Sequence, residues 1–156
     1  MNFITKLLLI VFFNFITLKI YTIDMPKDLI VKIIKESENQ DDTKSKNLDL
    51  ISVKYTGWIF DTSASTNNYC DAKGKMFDSN IFDTFHHTLP FQFVLGKGIV
   101  IKGWDLGLKD MRINEQRCLV IPPHLAYGNR RIGNIIKPNS TLIFEVKLLK
   151  ILTVEK

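Results

Sequence analysis

The side chains that most often carry covalent or metal chemistry are few in this sequence, which has three His and two Cys. His86 and His87 are adjacent, whereas two metal ligands on one strand face recur at i, i+2 and on one helix face at i, i+3 or i+4. His124 stands alone beside two prolines. We therefore expect no metal site and no cofactor. Neither Cys70 nor Cys118 has a placed His partner, so we expect neither to act as a nucleophile.

Aromatic and aliphatic side chains around predicted turns are the more informative set. They are Tyr55, Phe77, Phe91, Val100, Ile101, Trp104, Tyr127 and Phe144. Taken one at a time, each fits an ordinary hydrophobic core, just as Asp78 alone fits a turn. Taken together, they could also line an apolar pocket that contains a few polar groups. The residue types alone leave both interpretations open.

The alternation of apolar and polar residues predicts the strands that must position this set. The predicted strands are 29–34, 50–58, 91–95, 117–121 and 141–151. In the second strand Ile51, Val53 and Tyr55 share one face, so this strand is predicted to be half-buried.

A helix and three irregular segments connect these strands. Trp104, Leu108 and Met111 lie at i, i+4 and i+7, which predicts a short helix over 103–111. The polar segment 61–75 is predicted to be a flexible insertion. Residues 80–89 have no assignable pattern, and residues 124–140 are predicted to be a loop. Antiparallel strands around one short helix predict an α+β domain.

Length and charge narrow the class of protein. The 156 residues are about the size of one domain, and a hydrophobic content of 46% excludes a disordered chain. The net charge is +5, but the positive residues are scattered, with no run longer than Arg130-Arg131. We therefore expect no nucleic-acid partner. Nothing in the sequence resembles a coiled coil, and we expect a monomer.

The first residues have the pattern of a targeting segment. After one Lys, residues 7–18 are almost wholly apolar. A dozen apolar residues suit a secretory signal better than a span across ~30 Å of hydrocarbon. We predict a signal peptide over 1–22, followed by a single domain over 23–156. An uncleaved anchor that extends to Ile23 is the alternative, and membrane contact is expected only in that case.

Entry into the secretory pathway would place the two cysteines in an oxidising compartment, where they could pair. Cys70 is predicted in a loop and Cys118 on a strand, so the sequence does not decide whether they meet. The sequence also does not decide whether the glycosylation sequon at Asn139 is used. We predict residence in the endoplasmic reticulum lumen or secretion, between which the sequence does not choose.

Six short motifs follow one another in a fixed order along the chain. They are Val53-Lys54-Tyr55-Thr56-Gly57, Phe77-Asp78-Ser79, Pro90-Phe91-Gln92-Phe93, Val100-Ile101-Lys102-Gly103-Trp104-Asp105, Ala126-Tyr127-Gly128 and Thr141-Leu142-Ile143-Phe144-Glu145-Val146. Each motif is weak alone, but the ordered set resembles the FKBP-type peptidyl-prolyl isomerases over roughly residues 25–152. With its presequence, the chain resembles a secretory-pathway member. The resemblance implies a bent antiparallel sheet wrapped around one short helix, and an isomerase of X-Pro bonds that assists protein folding.

The resemblance also implies roles for individual residues. The implied catalytic residues are Tyr55, Phe77, Asp78, Trp104, Tyr127 and Phe144, and the implied substrate- or inhibitor-binding residues are Phe91, Val100, Ile101, Ile135 and Ile136. Trp104 would form the pocket floor, and the Ile101 N–H would donate to a ligand carbonyl. The implied partners are proline-containing polypeptides and immunosuppressive macrolides.

The sequence departs from the family pattern around this implied pocket. Ile132 stands where many relatives have His, and Lys137 where many have Pro. The segments 61–75 and 80–89 are longer than usual and are expected near the pocket entrance. These departures keep a second function open, in which the domain is a weakly catalytic or non-catalytic binding module or chaperone that recognises proline-containing loops of a partner.

Overall fold

The computed structural model describes residues 22–38 and 42–152. The predicted signal peptide over 1–22 lies almost entirely outside these residues and stays a prediction. Within the described part of the chain, no helix combines the length and the apolar character needed to cross a membrane.

The described residues form one antiparallel sheet with a single short α-helix. The elements are β1 (Ile30–Lys35), β2 (Leu50–Phe60), β3 (Lys73–Ser79), β4 (Phe91–Val94), α1 (Lys102–Gly107), β5 (Gln116–Ile121) and β6 (Leu142–Leu152), with 3₁₀ turns at Tyr69–Asp71, Asp83–Phe85 and Pro123–Leu125. The strand order is β1-β5-β6-β2-β3, and β4 pairs with β2 beside this path. The predicted α+β class is confirmed.

The central strand β2 is buried on both faces, so the prediction of a half-buried strand is wrong. Val53 and Tyr55 face one side of the sheet, but Ser52 and Thr56, which alternate with them, are only 3% and 2% exposed. β2 is also an inner strand, which pairs with β6 along one edge and with β3 and β4 along the other. On the face of Ser52 and Thr56, the ammonium group of Lys54 binds the carbonyl groups of Asn80 and Thr88. The Thr56 hydroxyl is hydrogen-bonded to that of Ser79 on β3, at 2.9 Å, which satisfies both buried groups.

The sheet separates two hydrophobic clusters. The α1 cluster lies between the sheet and α1 and includes Trp104, Leu119 and Phe144. The disulfide cluster lies around Cys70 and Cys118 and includes Phe60, Ala72, Val120 and Ile143. Because successive side chains of a strand point to opposite faces, β5 and β6 contribute to both clusters.

The polar segment 61–75 is not the flexible insertion that its composition predicts. It contains the 3₁₀ turn Tyr69–Asp71 and the start of β3. Cys70 and Ala72 are buried in it, and Cys70 forms a disulfide with Cys118 on β5. Composition misses this order because the anchor is one covalent contact between residues 48 positions apart.

Helix α1 ends at Gly107, earlier than the predicted 103–111. Trp104, Leu108 and Met111 are nevertheless all buried, at 4%, 0% and 0% exposed, so the predicted apolar face is confirmed. The guanidinium of Arg117 binds the carbonyl groups of Gly107, Lys109 and Asp110. These side-chain contacts replace the hydrogen bonds that a further helical turn would have made.

Candidate active site

Trp104 lies at the centre of an aromatic cavity on the α1 face of the sheet. Tyr55 of β2 meets its ring at a centroid distance of 5.1 Å and an interplanar angle of 80°. Phe144 of β6 meets it at 5.2 Å and 85°. Because both rings stand nearly perpendicular to the indole, they form walls around it instead of stacking over it.

Two further rings extend these walls. Phe77 of β3 stands edge-on to Phe144, with centroids 5.5 Å apart. Phe91 of β4 lies 6.2 Å from both Tyr55 and Trp104. The cavity between these rings has a volume of about 510 Å³, which is within the range that holds small ligands.

Gly57 on β2 makes the contact between two of these walls possible. It lies opposite Phe144 in β6 and opposite Asp78 in β3. A Cβ at this position would lie 2.7 Å from Cζ of Phe77 and 2.8 Å from Cε1 of Phe144. Both distances are shorter than any ordinary carbon contact, so a larger residue here would displace both rings.

Asp78 supplies the polar edge of the cavity. Its Oδ2 accepts a hydrogen bond of 2.7 Å from the Tyr55 hydroxyl. Its Oδ1 lies 2.8 Å from Nε2 of His87, which belongs to the segment without an assignable pattern. The carboxylate is therefore held at both oxygens.

The two tyrosines at the cavity keep their protons over a wide pH range. Burial raises the pKa of Tyr55, and its hydrogen bond to Asp78 raises this pKa further. Burial also raises the pKa of Tyr127, with a smaller contribution from the charge of Asp78. Both hydroxyls are therefore donors at neutral pH.

Asp105 holds the turn that leads into the cavity wall. Its Oδ1 and Oδ2 accept hydrogen bonds from the N–H groups of Gly96 and Gly98, at 2.8 and 2.9 Å. Both glycines have positive φ, which other residues adopt only with strain. The turn places Val100 and Ile101 against the cavity, where Ile101 is the N-cap of α1. The N–H of an N-cap residue precedes the helical hydrogen bonds, so the helix does not use it.

The structure brings most of the predicted site residues to this one cavity. Those that line it are Tyr55, Phe77, Asp78, Phe91, Val100, Ile101, Trp104, Tyr127 and Phe144. Ile135 and Ile136 do not line it. They line an adjacent cavity of about 260 Å³, which shares Phe77, Asp78 and Tyr127 with the first. The chemical roles assigned to all these residues stay predictions.

Several residues of the site were not singled out from the sequence. Gly98, Ile99, Lys102, Ala126 and Arg130 also line the main cavity. Lys102 and Ala126 stand inside two of the six motifs and Ile99 directly precedes Val100, which is the signal that could have found them. His87 gave no such signal, because the segment around it has no periodicity. Among residues 22–38 and 42–152, no group of three or more His, Cys, Asp or Glu is arranged to hold a metal ion.

Comparison with known proteins decides the family. A family model described as FKBP-type peptidyl-prolyl cis-trans isomerase matches residues 41–149. The chain belongs to this family. The resemblance carried by the six motifs is thereby confirmed, and residues 41–149 are an FKBP-type domain.

Curated FKBP relatives cover this chain to different extents. FK506-binding protein 2B of Rhizopus delemar is 46% identical over 108 residues, which are 69% of this chain and 44% of that protein. FK506-binding protein 1A of Neurospora crassa is 40% identical over 81% of this chain and 92% of its own length. FK506-binding protein 2 of Yarrowia lipolytica is 40% identical over 79% of this chain and 75% of its own length. The chain thus spans less than half of the first relative and most of the other two.

Proposed function

We propose that this FKBP domain accelerates cis-trans isomerisation of X-Pro bonds by desolvating and twisting the amide inside the aromatic cavity. The observation that carries the proposal is the enclosure of one cavity by Trp104, Tyr55 and Phe144, with the Asp78 carboxylate at its edge. A proline ring is apolar and flat-sided, so it suits walls of perpendicular aromatic rings. The substrates are then proline-containing polypeptides.

The energetics of the amide explain why such a cavity suffices. Resonance gives rotation about the bond a barrier of ~18–20 kcal/mol. The twisted amide is less dipolar than the planar one, so the aromatic walls of the cavity disfavour the planar ground state relative to the twisted state. No covalent bond is made or broken, and no nucleophile is required. A 10⁵-fold acceleration corresponds to about 7 kcal/mol, since each tenfold needs ~1.36 kcal/mol.

Hydrogen-bond donors at the cavity edge supply the selective part of this stabilisation. The Ile101 N–H is not used by α1 and is proposed to donate to a substrate carbonyl. The raised pKa of Tyr127 keeps its hydroxyl a donor as well. Asp78 contributes by holding the Tyr55 hydroxyl in place. Donors that bind the carbonyl more strongly in the twisted state lower the barrier.

The test is the cis-to-trans relaxation rate of a peptide that contains a Leu-Pro or Phe-Pro bond. The protein is obtained by expressing the full chain in a eukaryotic secretory host, so that the disulfide forms. We expect acceleration that falls at least tenfold in Asp78→Ala and is blocked by an immunosuppressive macrolide. If the folded protein binds the macrolide without accelerating relaxation, the proposal of catalysis is wrong and the function is recognition of proline-containing loops.

We also propose that the same cavity binds such macrolides. Support comes from the relatives, which are named for binding FK506. The adjacent cavity lined by Ile135 and Ile136 gives a large ligand a second apolar surface beside the first. Isothermal titration with a macrolide tests this proposal, and unchanged heat in the presence of saturating proline peptide would contradict a shared site.

We propose residence in the secretory pathway, either in the endoplasmic reticulum lumen or after secretion. The apolar residues 7–18 support it, and so does the Cys70–Cys118 disulfide, because such bonds persist in oxidising compartments. N-terminal sequencing of the protein from the host is the test. A start near residue 23 supports a cleaved signal, and an intact N-terminus in alkali-resistant membranes would indicate an anchor.

A further inference from the structure

The carboxylate of Asp78 has a partner from outside the aromatic cavity. Nε2 of His87 lies 2.8 Å from Oδ1, while the Tyr55 hydroxyl binds Oδ2. Asp78 and His87 are partly exposed, with 35% and 47% of their side chains open to solvent. The imidazole therefore meets the site carboxylate at the boundary between the cavity and solvent.

The segment that carries His87 is tied to the strand behind the cavity. Lys54 of β2 donates through its ammonium group to the carbonyl of Asn80, at 2.7 Å, and to that of Thr88. The Asn80 side chain accepts from the Tyr55 N–H at 2.7 Å and donates to the Leu89 carbonyl at 3.0 Å. Both ends of the segment are thus fixed relative to Tyr55, and the position of His87 follows from this anchoring.

We propose that His87 is a positioning residue for the isomerase site, which holds the Asp78 carboxylate in place from the solvent side. A hydrogen bond to an ionised carboxylate is stronger than one between neutral groups. Asp78 in turn fixes the Tyr55 wall. When the imidazole is removed, the contact at Oδ1 is lost and the wall is held less firmly. The inference rests on the proposed isomerase function.

The experiment compares four proteins, each expressed as the full chain in the secretory host. They are the wild type, His87→Ala, His87→Gln and the control His86→Asn. Gln keeps an N–H donor. Asn at position 86 removes the neighbouring imidazole and tolerates the positive φ of 58° found there. The value of kcat/KM for a Leu-Pro peptide is measured for each protein at one pH, and thermal melting checks that each variant folds.

We expect His86→Asn to keep the wild-type kcat/KM, and His87→Ala to be about fivefold slower. His87→Gln should recover most of this loss, because its N–H donor can replace that of the imidazole. A His87→Ala protein with the wild-type rate would overturn the proposal, and so would an equal loss in His86→Asn.

A second readout does not require activity. The ¹³C resonance of the Asp78 carboxyl should move between wild type and His87→Ala, and return toward its wild-type position in His87→Gln. If the protein proves inactive on prolyl peptides while this signal moves in His87→Ala, the proposed function fails and the hold of His87 on Asp78 stands. If the protein is active and the signal stays still in His87→Ala, the role of His87 is wrong.

Discussion

The two faces of the sheet are built from the same strands but do different things. On the α1 face, Trp104 and Phe144 meet nearly at right angles and leave a cavity of about 510 Å³. On the other face, Ile143 is fully buried next to a disulfide that joins two parts of the chain. Phe144 and Ile143 are neighbours on β6, so one strand serves both faces by alternation.

The difference shows how a small domain can keep an open site. A cavity forfeits the contacts that side chains filling it would have made. The opposite face carries a covalent link instead, which restricts the unfolded chain. The α1 face nevertheless holds the larger cluster of buried side chains, so we infer that its core supports the cavity while the disulfide secures the smaller cluster on the other face.

Removing the disulfide should give the largest effect on stability and the smallest on the site. For Cys70→Ala/Cys118→Ala, a loop of 48 residues predicts a loss of about 4 kcal/mol in the free energy of unfolding. Denaturant unfolding measures this loss, and relaxation of a prolyl peptide at 10 °C measures activity. We expect activity within twofold of wild type, because neither cysteine lines the cavity. A tenfold loss of activity in the folded variant would mean that the two faces are not separable.

Trp104→Leu should have the opposite effect, with a large loss of activity and a smaller loss of stability. The floor of the cavity is lost, so kcat/KM should fall at least tenfold, which is ~1.4 kcal/mol. The free energy of unfolding should fall by about 2 kcal/mol, less than a full truncation to Ala would cost. The indole N–H is buried without a hydrogen-bond partner among the described residues, so its removal offsets part of the packing loss.

Trp58→Leu is the matched control on the other face. Trp58 packs against the disulfide cluster, with the Lys73 ammonium 4.6 Å from the centre of its ring. We expect a loss of about 1 kcal/mol in stability and an unchanged kcat/KM, since Trp58 is partly exposed and does not line the cavity. Equal losses of activity in the two Trp variants would contradict the division between the faces.

The sequence predicts the buried residues of the α1 face better than those of the disulfide face. Alternation along β6 identifies Leu142, Phe144, Val146 and Leu148 as one face, and all four are buried there. It does not reveal that Ile143 is fully buried on the other side, because the cover comes from a distant polar segment. Periodicity also leaves Tyr55 and Trp104 looking like ordinary core residues.

The site was predictable only through the order of the six motifs. That order fixed which aromatic residues share the cavity, whereas pairwise contacts depend on strand register, such as Gly57 opposite Phe144. The contact between His87 and Asp78 lies beyond both kinds of signal. It depends on how Asn80 and Lys54 anchor an irregular segment, which no sequence period encodes.

Asp105→Ala should give an intermediate effect, confined to the α1 face. The variant removes the acceptors for the Gly96 and Gly98 N–H groups and frees the turn before Ile101. We expect a loss of about 1 kcal/mol in the free energy of unfolding and a severalfold loss of macrolide affinity. Asp105→Asn keeps one acceptor and should recover part of both. Calorimetric titration and thermal melting measure the two quantities, and unchanged affinity would show that the turn does not position the cavity wall.

Ile132→His should give the smallest effect, and it tests the loop 124–140 separately from the rest of the α1 face. Reciprocal backbone hydrogen bonds between Ile132 and Ile136, at 3.0 and 3.3 Å, close this part of the loop, so its shape does not depend on the side chain at position 132. Ile132 is 38% exposed, and the stability change should stay within about 0.5 kcal/mol. The side chain does line the cavity next to Asp78, so macrolide affinity should shift by a few fold while isomerisation of a short prolyl peptide, which need not reach that cavity, stays constant. If the turnover of the prolyl peptide changes as much as the macrolide affinity, the two cavities act as one site and the loop 124–140 contributes to catalysis.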